Sequence, residues 1–354
     1  MAYYTRYEKL QKYYKDGTAV EPAVYKKGTN LGVAEYSSIE VCEGQPEPGP
    51  GPEPGNYTCC ITWESYDGNI NFSFNNNDIT TEENPWCTQE KVSSLDFHKS
   101  QSLHIESLDI TVDETNSITS MYKSFGEMGY LRSVKLNIPK AASLSDISNM
   151  FQNSTNLTSI NFINFDTSNV TSGNYVFNNC SSLTSLNISN WNTSNLHSAA
   201  FMFSRCTSLT SLDVSNWDTS NLQDAADMFR SCTSLTSLDV SNWDVSNVKY
   251  LRYAFGFCHS LTSLDLSNWN TSNCQDFEFI FAGCENLETL NLKNFDMSKA
   301  TSYDGKYGMF EACDKLKNII CKQAFKDWCI AYQDVIKLPA AMREGGTGTW
   351  TIVN

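Results

Sequence analysis

Residues 203–222 read Phe203-Ser-Arg-Cys206-Thr-Ser-Leu209-Thr-Ser-Leu212-Asp213-Val214-Ser-Asn-Trp217-Asp-Thr-Ser-Asn-Leu222, and the same text returns at a fixed interval. A phenylalanine stands at Phe151, Phe177, Phe203, Phe229, Phe255 and Phe281, each 26 residues after the last. Three positions after it comes Cys180, Cys206, Cys232, Cys258 or Cys284, and fourteen after it comes Trp191, Trp217, Trp243 or Trp269. Self-similarity at this period marks a solenoid, in which each unit packs only on its neighbours.

The frame continues backwards through Phe125, Leu131 and Val134, and forwards through Phe310, Cys313 and Leu316 after a three-residue insertion. Ser154 replaces the first Cys, and Phe165 and Phe295 replace the outer Trp. Such atypical end units are what an array needs in order to stop. Within a unit, the alternation Leu212, Asp213, Val214 predicts one short strand. The following Thr-Ser-Asn is good N-cap chemistry, and Leu222, Ala225, Met228 and Phe229 fall at helical spacing, which predicts a short helix or helical turn. The expected fold class is therefore an α/β repeat with a parallel β-sheet on one side and short helices or turns on the other, capped at both ends. A lone unit buries too few apolar side chains to offset the entropy of ordering it, so the copies must fold together.

The motif Met-Phe-x-x-Cys-x-Ser-Leu-Thr-Ser-Leu-Asp-Val-Ser-Asn-Trp-Asp-Thr-Ser-Asn-Leu resembles the BspA-type leucine-rich repeats of bacterial surface proteins over roughly residues 124–320. The resemblance implies a leucine-rich-repeat solenoid and a family of surface adhesins or ligand-binding proteins. It implies no particular ligand, because the repeat is a packing motif.

The 354 residues hold no apolar run approaching the ~20 a membrane helix needs. The opening Met-Ala-Tyr-Tyr-Thr-Arg-Tyr lacks the apolar stretch of a secretory signal, so export by the general route is not expected. The net charge is −15, and residues 45–110 set eleven carboxylates against Lys91 and Lys99, which disfavours nucleic acid as a partner. Residues 1–44 balance six basic against six acidic side chains and hold seven tyrosines, as a small aromatic-cored module would. Residues 45–55 are a Pro/Gly linker that buries nothing. In residues 56–123, Ile61-Thr-Trp63 and Ile70-Asn-Phe-Ser-Phe74 alternate as strands do and are expected to form or abut an N-terminal cap. In residues 321–354, Lys322–Tyr332 has helical spacing and Gly345–Val353 reads as a turn and strand, a C-terminal cap.

Arg6-Tyr-Glu-Lys-Leu-Gln-Lys-Tyr-Tyr14, Tyr25-Lys-Lys-Gly28 and Tyr36-Ser-Ser-Ile-Glu-Val-Cys-Glu43 resemble a short N-terminal module on virion fibre and tail-associated proteins of crAss-like gut phages. That resemblance implies docking on a virion structural protein through residues 1–44, with the rod projecting outward.

Thirteen cysteines include no Cys-x-x-Cys pair, so zinc has no support. The six in register form a ladder. Rungs about 4.8 Å apart make a disulfide sterically conceivable, but buried free thiols acting as small hydrophobes are the expected state. The tryptophans are read as a packing spine rather than a carbohydrate-stacking stripe, and Asn190, Asn216, Asn242, Asn268 and Asn294 as a ladder bonding loop backbone. Ligand binding is expected on the strand's outward positions, taken as a concave face: Asn161, Asn187, Asp213, Asp239, Asp265 and Asn291, flanked by Ser211, Ser237 and Ser263 and by Ser215, Ser241 and Ser267. Like-charged neighbours one rung apart repel, which a cation or a polyhydroxylated ligand would relieve; one carboxylate per rung is too few for calcium.

His98, His104, His197 and His259 share no motif and no phosphate-cradling loop is present, so no catalytic residue, metal or cofactor is expected. The expected function is non-enzymatic: a virion-attached adhesive or structural fibre whose rod meets a host-surface glycan or protein, with oligomerisation open. Alternatives are a bacterial BspA-like surface or secreted adhesin, and an intracellular interaction scaffold.

Overall fold

The computed structural model describes residues 106–112, 118–138, 144–300 and 304–353, and the backbone of five further strands. These are β1 (Tyr13–Lys15), β2 (Thr18–Val20), β3 (Ile39–Val41), β4 (Ile61–Tyr66) and β5 (Asn69–Phe74). The Pro/Gly linker, Cys42, Cys59, Cys60, Cys87 and nearly all of the expected N-terminal module lie outside the described residues.

The chain coils once per 26 residues. Strands β6 (Ser107–Val112), β7 (Ser133–Asn137) and β8 (Ser159–Ile163) run parallel and in register, Ser107 beside Ser133 beside Ser159. The period thus starts one rung earlier than Phe125 and Leu131 indicate. Strand β5 adds in parallel to β6, and β4 and β3 follow antiparallel, so the alternating segments at Ile61 and Ile70 do enter the sheet. At the other end β9 (Ser263–Asp265), β10 (Thr289–Asn291), β11 (Asn318–Cys321) and β12 (Thr349–Ile352) form a second parallel sheet, with helix α1 (Gln323–Ala331) between its last two strands. Helix α1 and β12 fall where the helical spacing and the glycine run place them.

The return segment differs from a helix. Across residues 222–232 the N–H groups of Met228, Arg230 and Cys232 bond the carbonyls of Ala225, Asp227 and Phe229, three residues back, which makes a chain of tight turns. Asp227 and Ser231 hold left-handed φ angles of 56° and 59°, and every coil from Lys123 to Phe279 repeats this at the same two positions. The turns leave alternate N–H groups free to point at the next coil. Ala225, Asp227, Phe229 and Ser231 donate to the carbonyls of Tyr250, Arg252, Ala254 and Gly256 at 2.7–3.1 Å. An α-helix spends its N–H groups internally; here half of them join coil to coil, and that is why the helical spacing is not realised as a helix.

The two faces are joined unequally. Among the described residues between Thr158 and Thr262, the strand face has two backbone bonds between neighbouring Thr positions, Thr210 N–H to Thr184 at 3.3 Å and Thr236 N–H to Thr210 at 3.4 Å. Ring stacks widen in the same direction. Centroids lie 4.6–4.7 Å apart on the outside of the turn face (Tyr175–Phe201, Tyr253–Phe279), 5.5–5.9 Å along the Phe column from Phe151 to Phe281, and 6.1–6.4 Å along the tryptophans. The middle coils therefore bend toward the turn face. The strand face is the opened side rather than the concave one expected: no strand forms between residues 164 and 262, where the alternation Leu212, Asp213, Val214 predicts one, and few backbone bonds draw the coils together there.

The core is columns of identical residues. Phe151 to Phe281 are buried and stacked, with Leu157, Leu183, Leu209, Leu235, Leu261 and Leu287 beside them. Replacing Phe229 by Ala is expected to cost about 3–5 kcal/mol in chemical denaturation, while Asn216→Ala on the exposed turn stays within about 0.5 kcal/mol. Equal effects would contradict this packing.

Candidate functional site

The strand-face residues sit where the sequence puts them, in one outward column. Asn161, Asn187, Asp213, Asp239 and Asp265 are exposed, as are Ser211, Ser237 and Ser263, whereas Asn291, Ser215, Ser241 and Ser267 are half-buried. The carboxylates are already engaged. Asp213 and Asp239 each accept from both the N–H and the hydroxyl of the serine two residues on, Ser215 and Ser241, and Asp265 accepts from the N–H of Ser267. The three aspartates thus form Asx turns, whereas Asn187 accepts from the Ser189 hydroxyl alone. A second such column, Asp166, Asn192, Asp218, Asp244, Asn270 and Asp296, caps the serine N–H two residues on in the turn after the tryptophan.

Hydrogen bonds from Ser241 and from Ser220 hold the carboxyl groups of Asp239 and Asp218 below the usual carboxylate range. Local donors thus do part of what a bound cation would do. Asn291 stands apart, since its buried Oδ1 and that of Asn318 on the neighbouring strand have no hydrogen-bond partner among the described residues.

Repeat residues that suggested chemistry are consumed by packing. Trp191, Trp217, Trp243 and Trp269 are buried and stacked, and the last three donate Nε1–H to the carbonyls of Ile188, Val214 and Val240. Trp191 Nε1 has no such partner. Of the expected asparagine column, Asn268 and Asn294 bond the carbonyls of Ser241 and Ser267, whereas the exposed Asn190, Asn216 and Asn242 make no such bond among the described residues. A ladder not anticipated runs through Asn195, Asn221, Asn247 and Asn273, each bonding a serine carbonyl one coil back.

Cys180, Cys206, Cys232, Cys258, Cys284 and Cys313 are buried free thiols, each reaching a phenylalanine carbonyl of the preceding coil at 3.0–3.2 Å. Ser154 makes the same bond to Phe125, which explains the substitution. Burial pushes the Cys284 and Cys274 thiols up to about 12.

The turn face is where coils disagree, and sequence reading tuned to the consensus passed over it. Its left-handed positions hold Lys123, Glu127 and Ala312 in the outermost coils, Asn149, Asn153, Asn179, Gly283 and Gly308 further in, and Tyr175, Phe201, Arg205, Asp227, Ser231, Tyr253, Phe257 and Phe279 through the middle. Asn and Gly adopt that conformation at little cost; a bulky ring is an outlier there. Gly283 and Gly308 also make room, for a Cβ on either would lie within 2.5 Å of the ring of Phe257 or Phe279.

Where Asp227 interrupts the ring column, Arg230 bonds its carboxylate at 2.9 Å and lays its guanidinium 4.3 Å from the centre of the Tyr253 ring. Arg252 also lies over Tyr253, at 5.4 Å, and pairs with Glu278 at 3.0 Å. Burial raises the Asp227 carboxyl more than Arg230 and Arg252 lower it. Disagreement between copies at a few clustered positions was the available signal.

No group of three or more His, Cys, Asp or Glu side chains able to hold a metal occurs among the described residues, and no helix there is long and apolar enough to cross a membrane.

A family model described as Mycoplasma protein of unknown function, DUF285, matches residues 119–237 and 206–323. No curated protein matches the sequence. Among solved structures, the chain is similar to that in a TLR13–ssRNA13 complex at 17% identity, covering 69% of this chain and 34% of that one, with a TM-score of 0.36. It is similar to a leucine-rich repeat protein from Bacteroides ovatus at 14% identity, covering 75% and 71%, with a TM-score of 0.36. A leucine-rich cell surface protein from Faecalibacterium prausnitzii matches at 16% identity over 78% and 97%, with a TM-score of 0.21. The chain thus spans about a third of the first of these proteins; likenesses at such scores carry no weight for function.

Two measurements check this geometry. Native protein treated with an aromatic disulfide reagent should leave the nine described thiols unreacted until it unfolds; fast labelling of any of them would contradict their burial. By NMR, Asp239 should titrate below the ordinary value of about 3.9, and Ser241→Ala should move it back up. Stability from this carboxylate is then present above the unfolded value and lost as pH falls through the folded one.

Proposed function

The chain belongs to the family DUF285, and on that footing we propose that it is a non-enzymatic recognition rod. The repeated Cys, Trp, Asn, Asp and Ser side chains, which would be the raw material of a catalytic or metal site, are taken up by bonds between and within coils. His197 and His259 lie on different columns, and His197 bonds the carbonyl of Asn195. What the array offers in quantity is surface. The observation that supports recognition most directly is one long solenoid whose outward positions repeat coil after coil, so that a ligand meets several equivalent contacts at once.

The strand-face column Asn161, Asn187, Asp213, Asp239, Asp265 and Asn291, with its flanking serines, is our proposed ligand face for a cell-surface glycan or protein. Asp213, Asp239 and Asp265 each cap the turn through Oδ1, which leaves Oδ2 for hydroxyl donors. Display on the outside of a cell or particle fits this use. The resemblance of residues 1–44 to phage virion modules supports a virion as that particle, which mass spectrometry of purified virions would test by finding the chain or not.

Charge can be removed from this face without disturbing the fold, because Asn192 and Asn270 already cap a serine N–H with an amide oxygen as the aspartates do. The triple variant Asp213→Asn, Asp239→Asn, Asp265→Asn is expected to keep its melting temperature within a few degrees and to lose about tenfold in binding to host cells, or about 1.4 kcal/mol. Unchanged binding would remove this face from the reading.

A further inference from the structure

From the turn face we infer a second interaction surface, one that docks an acidic segment of a protein partner; the inference rests on the reading of the rod as a recognition module and goes beyond the strand face. The surface is the middle of the bent-in side, where Phe201, Arg205, Arg230, Tyr250, Arg252 and Tyr253 lie on three successive coils.

Four observations converge on it. The first is conformational strain. The same positions hold Asn149, Asn153, Gly283 and Gly308 in other coils and Lys123, Glu127 and Ala312 in the outermost ones, so the turn itself does not require the large rings at Phe201 and Tyr253. Strain of this kind persists where a function uses it.

The second is composition. Three of the chain's six arginines are Arg205, Arg230 and Arg252, although lysine is the commoner base overall. Arginine and aromatic residues enriched over lysine mark the centre of protein interfaces, where planar groups bind with little loss of side-chain freedom.

The third is the depth of the charges. Each ion pair sets its acid low and its base high: side-chain exposure is 32% for Arg230 against 5% for Asp227, and 48% for Arg252 against 16% for Glu278. Arg205 and Lys249 are exposed and have no ion pair among the described residues. The outermost groups a partner meets are therefore basic, with Asp224, Asp227, Asp276 and Glu278 set deeper on the same face. Carboxylates complement these basic groups, and guanidinium forks bind them in bidentate fashion.

The fourth is ring orientation. Tyr175 stacks on Phe201 and Tyr253 on Phe279, so ring faces are covered and ring edges turn outward. Edges carry the positive end of the aromatic quadrupole and suit anions, whereas stacking bases or sugars need free faces. Tyr250, 44% exposed and two residues before Arg252, adds an outward ring.

The test uses the full chain as bait for a short random-peptide library, with the enriched peptides then titrated against three variants. Arg205→Glu reverses an unpaired surface charge, Tyr250→Ser removes the exposed ring, and Lys293→Glu makes the same charge change on the strand side as a control. Expected are peptides rich in Asp and Glu that bind Arg205→Glu at least about tenfold more weakly, bind Tyr250→Ser more weakly as well, and bind Lys293→Glu like the parent. Enriched peptides without acidic excess, equal losses in Arg205→Glu and Lys293→Glu, or capture of heparin with no peptide enriched would each overturn the inference, the last in favour of an acidic polysaccharide. Peptides that bind away from the patch would sink this surface alone. If neither these variants nor the strand-face triple variant altered binding to host cells, the recognition reading itself would fall.

Discussion

Coil-to-coil hydrogen bonding along the turn face is the constraint from which the other features follow. A chain of tight turns with left-handed residues at two fixed positions frees every second N–H to reach the next coil, and four such bonds per coil fix the spacing and the register together. Once the register is set, identical side chains must lie over one another. The Phe and Trp stacks, the thiol ladder and the asparagine ladder are results of that alignment rather than separate devices. Buried polar groups are then satisfied by translation: a bond that works in one coil works in all of them.

Much of this could be read from the chain. The 26-residue interval located the Phe, Leu, Cys and Trp columns and turned them inward correctly, because packing of a repeat leaves little choice about which face is buried. Ser154 in the place of Cys looked like decay at the end of the array, yet it keeps the carbonyl bond to Phe125. The return segment was less legible. Leu222, Ala225 and Phe229 fit a helical period, but that spacing also suits turns that advance by about the same number of residues, and only the left-handed φ at Asp227 and Ser231 separates the two. Hydrophobic spacing says which side chains are inside and is silent on where backbone N–H groups point.

The candidate surface was harder still. Consensus residues attract attention, and in a stacked array they are the ones stacking has already claimed. Asp213 and Asp239 look like free carboxylates in the sequence, but the serine two positions later turns each into a cap. Tyr253 and Arg230 are departures from the pattern, and their significance comes from proximity across neighbouring coils, since Arg230 approaches the Tyr253 ring of the following coil.

The constancy of the bonding offsets has a consequence for how such chains change length. Cysteine thiols reach back 29 residues and asparagine amides 27, whichever coil they start from, through most of the array. Loss or duplication of one whole period by recombination between near-identical stretches of coding sequence would therefore join compatible surfaces at the seam. The rod can lengthen or shorten in heredity by integral steps, with the reach of the molecule varying between lineages while its cross-section stays the same.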